Sequence, residues 1–114
     1  MSKREPTLFL YDILECVAKI EKYVSGMSYD DFESDERTVD AVLRNLEVIG
    51  EAARHVPDQL RRMYPDIPWR KIVGLRNVVI HEYFGVDLEI IWEIITRDLP
   101  DLKNKIVSML DSET

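Results

Sequence analysis

One stretch, Leu75-Arg76-Asn77-Val78-Val79-Ile80-His81-Glu82-Tyr83, organises the rest of the chain. At about 100° per residue, it predicts a helix with two distinct faces. One face holds Arg76, Asn77 and His81, and a single apolar residue, Ile80, lies inside this polar arc. A face exposed only to water has no need of that isoleucine, so the pattern predicts that this face packs against another subunit or element. The opposite, apolar face is formed by Ile72, Leu75, Val78 and Val79.

The polar face combines groups whose chemistry suits a phosphodiester. Arg76 carries a permanent charge and binds phosphate through a two-pronged guanidinium. His81 can give or accept a proton near neutral pH, while Asn77 and Tyr83 can position groups by hydrogen bonding. RNA supplies its own nucleophile, the 2′-hydroxyl, so these side chains could cleave it without a metal. The spacing alone favours a surface arginine and a partly buried histidine without a site, because the pair recurs in helices by chance.

Length and composition limit the class of protein. A chain of 114 residues predicts one domain, spanning 1–114, with a core that needs no disulfide or metal. No apolar run approaches the length of a membrane span, and the N-terminus lacks the apolar segment of a signal peptide. We therefore expect a cytoplasmic protein. Cys16, the single cysteine, is interpreted as a core residue, and no residue cluster has the spacing of a metal site, so no metal or cofactor is expected.

The charge is distributed unevenly along the chain. The net charge of −7 argues against a general nucleic-acid binder. Residues 54–76, however, hold six basic and two acidic side chains, a net +4, whereas residues 1–53 carry −6 and residues 77–114 carry −5. The basic segment leads directly into Arg76, where a phosphate-binding surface is needed. The acidic remainder is equally suited to a basic protein partner.

Helical periodicity runs through the whole chain, and no segment alternates with the period of a strand. The fold class is therefore predicted to be all-α. Pro100 predicts a kink or break in the last helix. Trp69 is interpreted as the core anchor of the organising helix, and Tyr11 and Tyr23 as packing residues. Helices are predicted over residues 7–25, 35–55 and 57–64, from Pro68 to between 81 and 84, and from Asp87 onward.

The predicted helix 35–55 has apolar residues on two sides. This pattern predicts either two neighbouring helices or one neighbour and a dimer partner. Gly50 lies in mid-helix, where glycine costs about 1 kcal/mol relative to alanine, so it predicts a close approach of another helix. Glu51, beside Gly50, is the polar residue of this helix that we single out, and His55 at its end is interpreted as structural.

Two runs of residues carry a family resemblance. Residues 76–83 match the signature of HepT-like HEPN ribonuclease toxins: arginine, a polar residue, three further residues, histidine, any residue and tyrosine. Residues 41–53 resemble the second-helix signature of that family. Pro68-Trp69, Gly85-Val86-Asp87 and Trp92 also stand where the family pattern places them. The resemblance covers nearly the whole chain.

The resemblance implies an antiparallel bundle of about four to five helices that forms a homodimer, with the two Arg/His motifs meeting in a cleft between subunits. It implies a toxin that is a metal-independent endoribonuclease acting on cellular RNA, with Arg76 and His81 catalytic. Asn77 and Glu51 are supporting candidates. The implied partner is a minimal nucleotidyltransferase antitoxin that transfers AMP from ATP to Tyr83, where added bulk and negative charge oppose RNA binding.

Two other interpretations remain open. In one, the protein is a non-catalytic helical dimer that binds a nucleotidyltransferase partner together with a nucleotide or RNA. In the other, it is a structural dimer without a site. The latter leaves two features unexplained, namely Ile80 within the polar arc and the basic segment in an acidic chain.

Overall fold

The computed structural model describes residues 5–82 and 87–113, and the side chains of 79–82 lie outside that description. Within these ranges the chain forms helices and short turns and no strand, which confirms the predicted all-α fold. Four long helical units make up the bundle: α1, α3, the α5–α6 pair and the α7–α8 run. The helices are α1 (Pro6–Val24), α2 (Tyr29–Ser34), α3 (Glu36–Arg54), α4 (Asp58–Met63), α5 (Trp69–Val73), α6 (Leu75–Glu82), α7 (Leu88–Glu93) and α8 (Leu99–Glu113).

Helix α3 lies at the centre of the bundle and packs against α1, α2, α5 and α6. The two neighbours expected for this two-sided helix are therefore α1 and the α5–α6 pair. Apolar residues spaced three and four apart give each helix a continuous stripe, and burial of these stripes forms the core. Fully buried side chains include Leu10, Ile13 and Val17 on α1 and Val42, Leu46 and Ile49 on α3.

Local capping chemistry sets several helix boundaries. Gly26, with a φ of 77°, follows α1 in a conformation that other residues rarely adopt. Ser28 then caps α2 in a reciprocal capping box with Asp31. The carboxylate of Asp35 accepts the backbone N–H of Thr38 at the start of α3, and this hydrogen bond lowers the pKa of Asp35. The bounds of α1, α3 and α4 agree with the predicted ones to within one residue.

Pro100 does not end the last helix, so the predicted break is absent. A π-helical segment, Ile94–Asp98, joins α7 to α8, so the helix runs on from 88 to 113. The backbone N–H of Leu99 bonds to the carbonyl of Ile94, five residues back. Proline has no N–H, and its ring clashes with the carbonyl four residues before it. The wider turn before Pro100 accommodates this missing bond without ending the helix.

Two further differences separate the structure from the sequence predictions. The helix expected to run on from Pro68 is divided at Gly74, where a tight turn places backbone carbonyls 3.3 Å from the position of a β-carbon. The interpretation of Tyr11 and Tyr23 as packing residues is wrong, because they are 51% and 38% exposed. Asn45, a polar residue of α3, is buried, and its amide donates to the carbonyl of Ala41.

Other core predictions are confirmed. Trp69 is buried, and its indole N–H donates to the carbonyl of Tyr64 at 3.1 Å, which satisfies its one polar group. Cys16 is buried, and burial raises the pKa of its thiol, which favours the unreactive protonated form. Among the described helices, none has both the length and the apolar character needed to cross a membrane.

Candidate functional site

The close approach of α3 to α6 at Gly50 positions the candidate site. A β-carbon on Gly50 would lie 3.0 Å from Cγ of Arg76, 3.2 Å from its backbone nitrogen and 3.3 Å from the carbonyl oxygen of Ile72. Glycine therefore lets the backbone of α6 come this near to α3 without the shift of a few tenths of an ångström that a β-carbon would require. The predicted close approach is confirmed. Its effect is to bring Arg76 beside Glu51, the next residue on α3.

The carboxylate of Glu51 holds three cationic or potentially cationic side chains. Its Oε2 lies 3.1 Å from Nη1 of Arg76. Its Oε1 accepts from Nη2 of Arg54 at 2.8 Å and lies 3.1 Å from Nε2 of His55. This last contact is a hydrogen bond when Nε2 carries the proton. One carboxylate thus links the C-terminal turn of α3 to the first turn of α6.

Electrostatics keep Glu51 ionised. The hydrogen bond from Arg54 is the largest cause of a lowered pKa at Glu51, and the His55 contact and the charges of Arg54 and Arg76 act in the same direction. Conversely, Glu51 raises the pKa of Arg54. Because the pKa of Glu51 is lower in the folded state, its stabilising contribution is present above its ordinary pKa and is lost as the pH falls through the lowered one. The network is therefore intact at neutral and mildly acidic pH.

These residues border a cleft of about 470 Å³ between α1, α3 and α6. The ring of His55 stacks on Phe9 of α1, with centroids 5.3 Å apart and an angle of 20° between the planes. The charged side chains of the lining are mixed in sign, and acidic groups offset the arginines within one chain. The lining consists of Phe9, Asp12, Arg44, Glu47, Val48, Glu51, Ala52, His55 and Arg76.

The structure unites two of the sequence-derived candidates and leaves two outside its described part. Arg76 and Glu51 form a pair, and their side chains are 42% and 41% exposed, so both remain accessible from the cleft. Asn77 follows on α6 and is exposed. The backbone of His81 belongs to α6, but its side chain lies outside the described residues, as does Tyr83 entirely. The roles assigned to all five remain predictions.

His55 is the cleft residue whose place sequence reasoning missed. Its spacing of four residues from Glu51 did carry a signal, because such pairs lie on the same helix face. Its stacking on Phe9 carried none, because that contact joins two helices distant in sequence. As for metals, no group of three or more His, Cys, Asp or Glu side chains within 5–78 and 87–113 is arranged to hold an ion.

Comparison with known proteins identifies the family. The pattern of the family described as "Ribonuclease HepT-like" matches residues 13–109. The chain belongs to the HepT-like ribonuclease family. The resemblance seen in the sequence is thus confirmed, and with it an RNA-cleaving function for this class of protein. No solved structure matches the chain.

Relatives in this family match the HepT-like chain over nearly its full length. A candidate RNase of Methanocaldococcus jannaschii is 41% identical over 106 residues, which cover 93% of this chain and 97% of the relative. A protein of Thermococcus cleftensis named probable ribonuclease HepT is 41% identical over 103 residues, covering 90% and 94%. A candidate RNase of Caldanaerobacter subterraneus subsp. tengcongensis is 40% identical over 111 residues, covering 96% and 98%.

A second, larger depression of about 750 Å³ lies between the α5–α6 pair and the α7–α8 run of the HepT-like chain. Its floor is apolar, with Ile72, Leu75 and Ile94 among its lining residues, and Ile90 is 46% exposed. Charged side chains such as Lys71 stand at its rim. The smaller cleft, in contrast, is lined by two of the sequence-derived candidates, Arg76 and Glu51.

Proposed function

We propose that the protein is the toxin of a toxin–antitoxin pair and a metal-independent endoribonuclease that cleaves cellular RNA. Arg76 and His81 are its catalytic residues, and Asn77 and Glu51 support them. One observation carries the proposal: the guanidinium of Arg76 is held by Glu51 at an accessible cleft and is not buried in the core. A salt bridge this exposed contributes little to stability, which favours a functional reason for the pair.

The proposed reaction is an internal transesterification of RNA. The 2′-hydroxyl loses its proton to a base and attacks the adjacent phosphorus, and the bond to the 5′-oxygen of the next nucleotide breaks as that oxygen gains a proton. His81 serves as the acid or base for these transfers. Arg76 binds the non-bridging oxygens, whose negative charge grows in the transition state. Glu51 keeps Arg76 oriented while leaving part of its guanidinium accessible.

A homodimer accounts for the charge of the site. In one chain the arginines of the cleft are offset by acidic neighbours, so a single cleft attracts RNA weakly. A two-fold axis would place two Arg76 motifs and two copies of the +4 segment together. Leu8 and Tyr11, 41% and 51% exposed on α1, give a partner subunit apolar surface close in sequence to the cleft residue Phe9. Light scattering on the purified protein measures this stoichiometry directly.

The proposed partner is a minimal nucleotidyltransferase antitoxin that modifies Tyr83. The phenolic oxygen of Tyr83 attacks the α-phosphorus of ATP, pyrophosphate leaves, and AMP remains attached. We expect incubation with this partner and ATP to add one AMP to each chain, seen by intact-mass spectrometry, and to abolish RNA cleavage. Tyr83→Phe is the control and should gain no mass. AMP on Tyr83→Phe, or full cleavage by the modified wild type, would contradict this assignment.

The experiment that tests the nuclease uses two matched oligonucleotides in EDTA. One is RNA, and the other has the same sequence with 2′-deoxy sugars. We expect the wild-type protein, shown by mass to be unmodified at Tyr83, to cleave only the RNA and to leave 2′,3′-cyclic phosphate ends. Cleavage that appears only when a divalent cation is added would contradict metal independence. RNA binding without cleavage under either condition would favour a non-catalytic dimer that presents RNA or a nucleotide.

A further inference from the structure

We infer that His55 is a positioning residue for Arg76 and acts on it through Glu51. This rests on the proposed function, because the reaction that Arg76 serves is the proposed cleavage of RNA. His55 does not contact Arg76 in the structure. Its contact with Glu51 Oε1 and the contact of Oε2 with Arg76 place the carboxylate between the two side chains.

The ring of His55 is held from two sides. His55 directly follows α3 as its C-cap, and its backbone N–H bonds to the carbonyl of Ala52 at 3.1 Å. Its imidazole lies nearly parallel to the ring of Phe9 on α1. The backbone bond fixes where the side chain begins, and the stacked ring restricts its rotation. His55 therefore offers Glu51 a donor whose position is set by two separate helices.

A fixed donor matters because of the way the carboxylate divides its contacts. Oε1 of Glu51 takes both His55 and Arg54, which leaves Oε2 directed at Arg76. Arg54 alone is a poor anchor, since its side chain is long and loses rotational freedom when it is held. With His55 in place, rotation of the carboxylate breaks two hydrogen bonds instead of one. The orientation of Arg76 thus depends on a ring stacked against α1.

The same geometry engages one ring nitrogen of His55 with Glu51. Its Nε2 faces Glu51. That nitrogen carries a hydrogen both in the imidazolium and in the Nε2–H form of the neutral ring, so the contact persists in either state. A proton-transferring histidine needs the nitrogen it uses to be within reach of the reacting oxygens. We therefore assign the orientation of Glu51 to His55, and the proposed proton transfers stay with His81.

The test uses a matched pair of substitutions at this one position. His55→Phe keeps a ring to stack on Phe9 but has no donor for Glu51, whereas His55→Gln keeps a donor but has no ring. Lys103→Gln is the control, because it removes an ion pair with Glu21 of similar exposure, 45% and 44%, elsewhere in the bundle. Circular dichroism confirms that each variant is folded before steady-state RNA cleavage is measured.

We expect His55→Phe to lower kcat about 10-fold with KM changed less than twofold, since misplacing a catalytic group costs up to about 100-fold. His55→Gln should recover part of that loss, and Lys103→Gln should behave as wild type. The shape of the pH profile of kcat should be the same in His55→Phe. An unchanged kcat in folded His55→Phe, or loss of one limb of the pH profile, would overturn the positioning role.

A second readout does not depend on RNA cleavage. Nitrogen-15 NMR follows the side-chain Nε–H of Arg76, whose shift and exchange rate report how firmly the guanidinium is held. His55→Phe should move this signal and speed its exchange, and Lys103→Gln should leave it in place. If the wild type does not cleave RNA, the proposed function fails. The NMR signal still decides whether His55 helps to hold the guanidinium of Arg76. An Arg76 signal identical in wild type and His55→Phe would refute the inference.

Discussion

Arg76→Ala is expected to lower kcat for RNA cleavage about 100- to 1000-fold, with little change in thermal stability. A charged donor aimed at a developing negative charge is worth roughly that factor in other enzymes. The salt bridge that the substitution removes is about 40% exposed on both sides, and pairs this exposed contribute about 0–1 kcal/mol to folding. Activity and stability should therefore separate clearly. Single-turnover cleavage and a thermal melt of the same sample measure both.

Companion variants sharpen this expectation. His81→Ala should lose activity to a similar or greater degree, and the double variant should lose little more than the worse single variant, because residues that act in one step are not additive. Arg97→Ala is the matched control. It removes an exposed arginine of the α7–α8 run, where Arg97 is paired with Glu93. Equal losses in Arg97→Ala and Arg76→Ala would show that general positive charge, and not a site, explains cleavage.

Features fixed by local chemistry were predictable from the sequence. Ser28 and Asp87 each cap the helix that follows them, because a short polar side chain can bond to the free N–H groups of a first turn. Gly50 indicated a close helix contact because a glycine in mid-helix needs a compensating approach. The pairing of Arg76 with Glu51 follows from that contact, although the sequence showed only that both were polar.

Features that depend on tertiary contacts were not predictable in the same way. His55 joins the site through Phe9, a contact between the end of one helix and the start of another. Tyr11 has the helical spacing of a packing residue, yet its side of α1 is left half-exposed. The π-helical segment before Pro100 was missed for a different reason. Proline forbids one hydrogen bond, but the packing of the rest of the helix decides whether the chain breaks or widens its turn.

Gly50→Val is expected to reduce both stability and activity, and so to show that helix spacing positions Arg76. Valine would put its β-carbon 3.2 Å from the backbone nitrogen of Arg76 and 3.3 Å from the carbonyl oxygen of Ile72. Backbone atoms cannot rotate away as a side-chain end can, so α6 must shift. Overpacking of this kind typically costs about 1–3 kcal/mol. The required shift is a few tenths of an ångström, less than the displacement of about 1 Å that can cost 100-fold in rate, so we expect a loss of rate well below 100-fold.

The control for Gly50→Val must measure what a valine costs in helix α3 when it meets no neighbouring backbone. Asp40→Val introduces the same residue at an exposed position of α3, where surface substitutions usually change stability by no more than about 0.5 kcal/mol. A chemical denaturation curve and the RNA cleavage rate are measured for both. If Gly50→Val is destabilised but cleaves at the wild-type rate, Arg76 is held by something other than the spacing of α3 and α6. If both quantities fall together, the glycine beside Glu51 belongs to the site as much as the arginine that it admits.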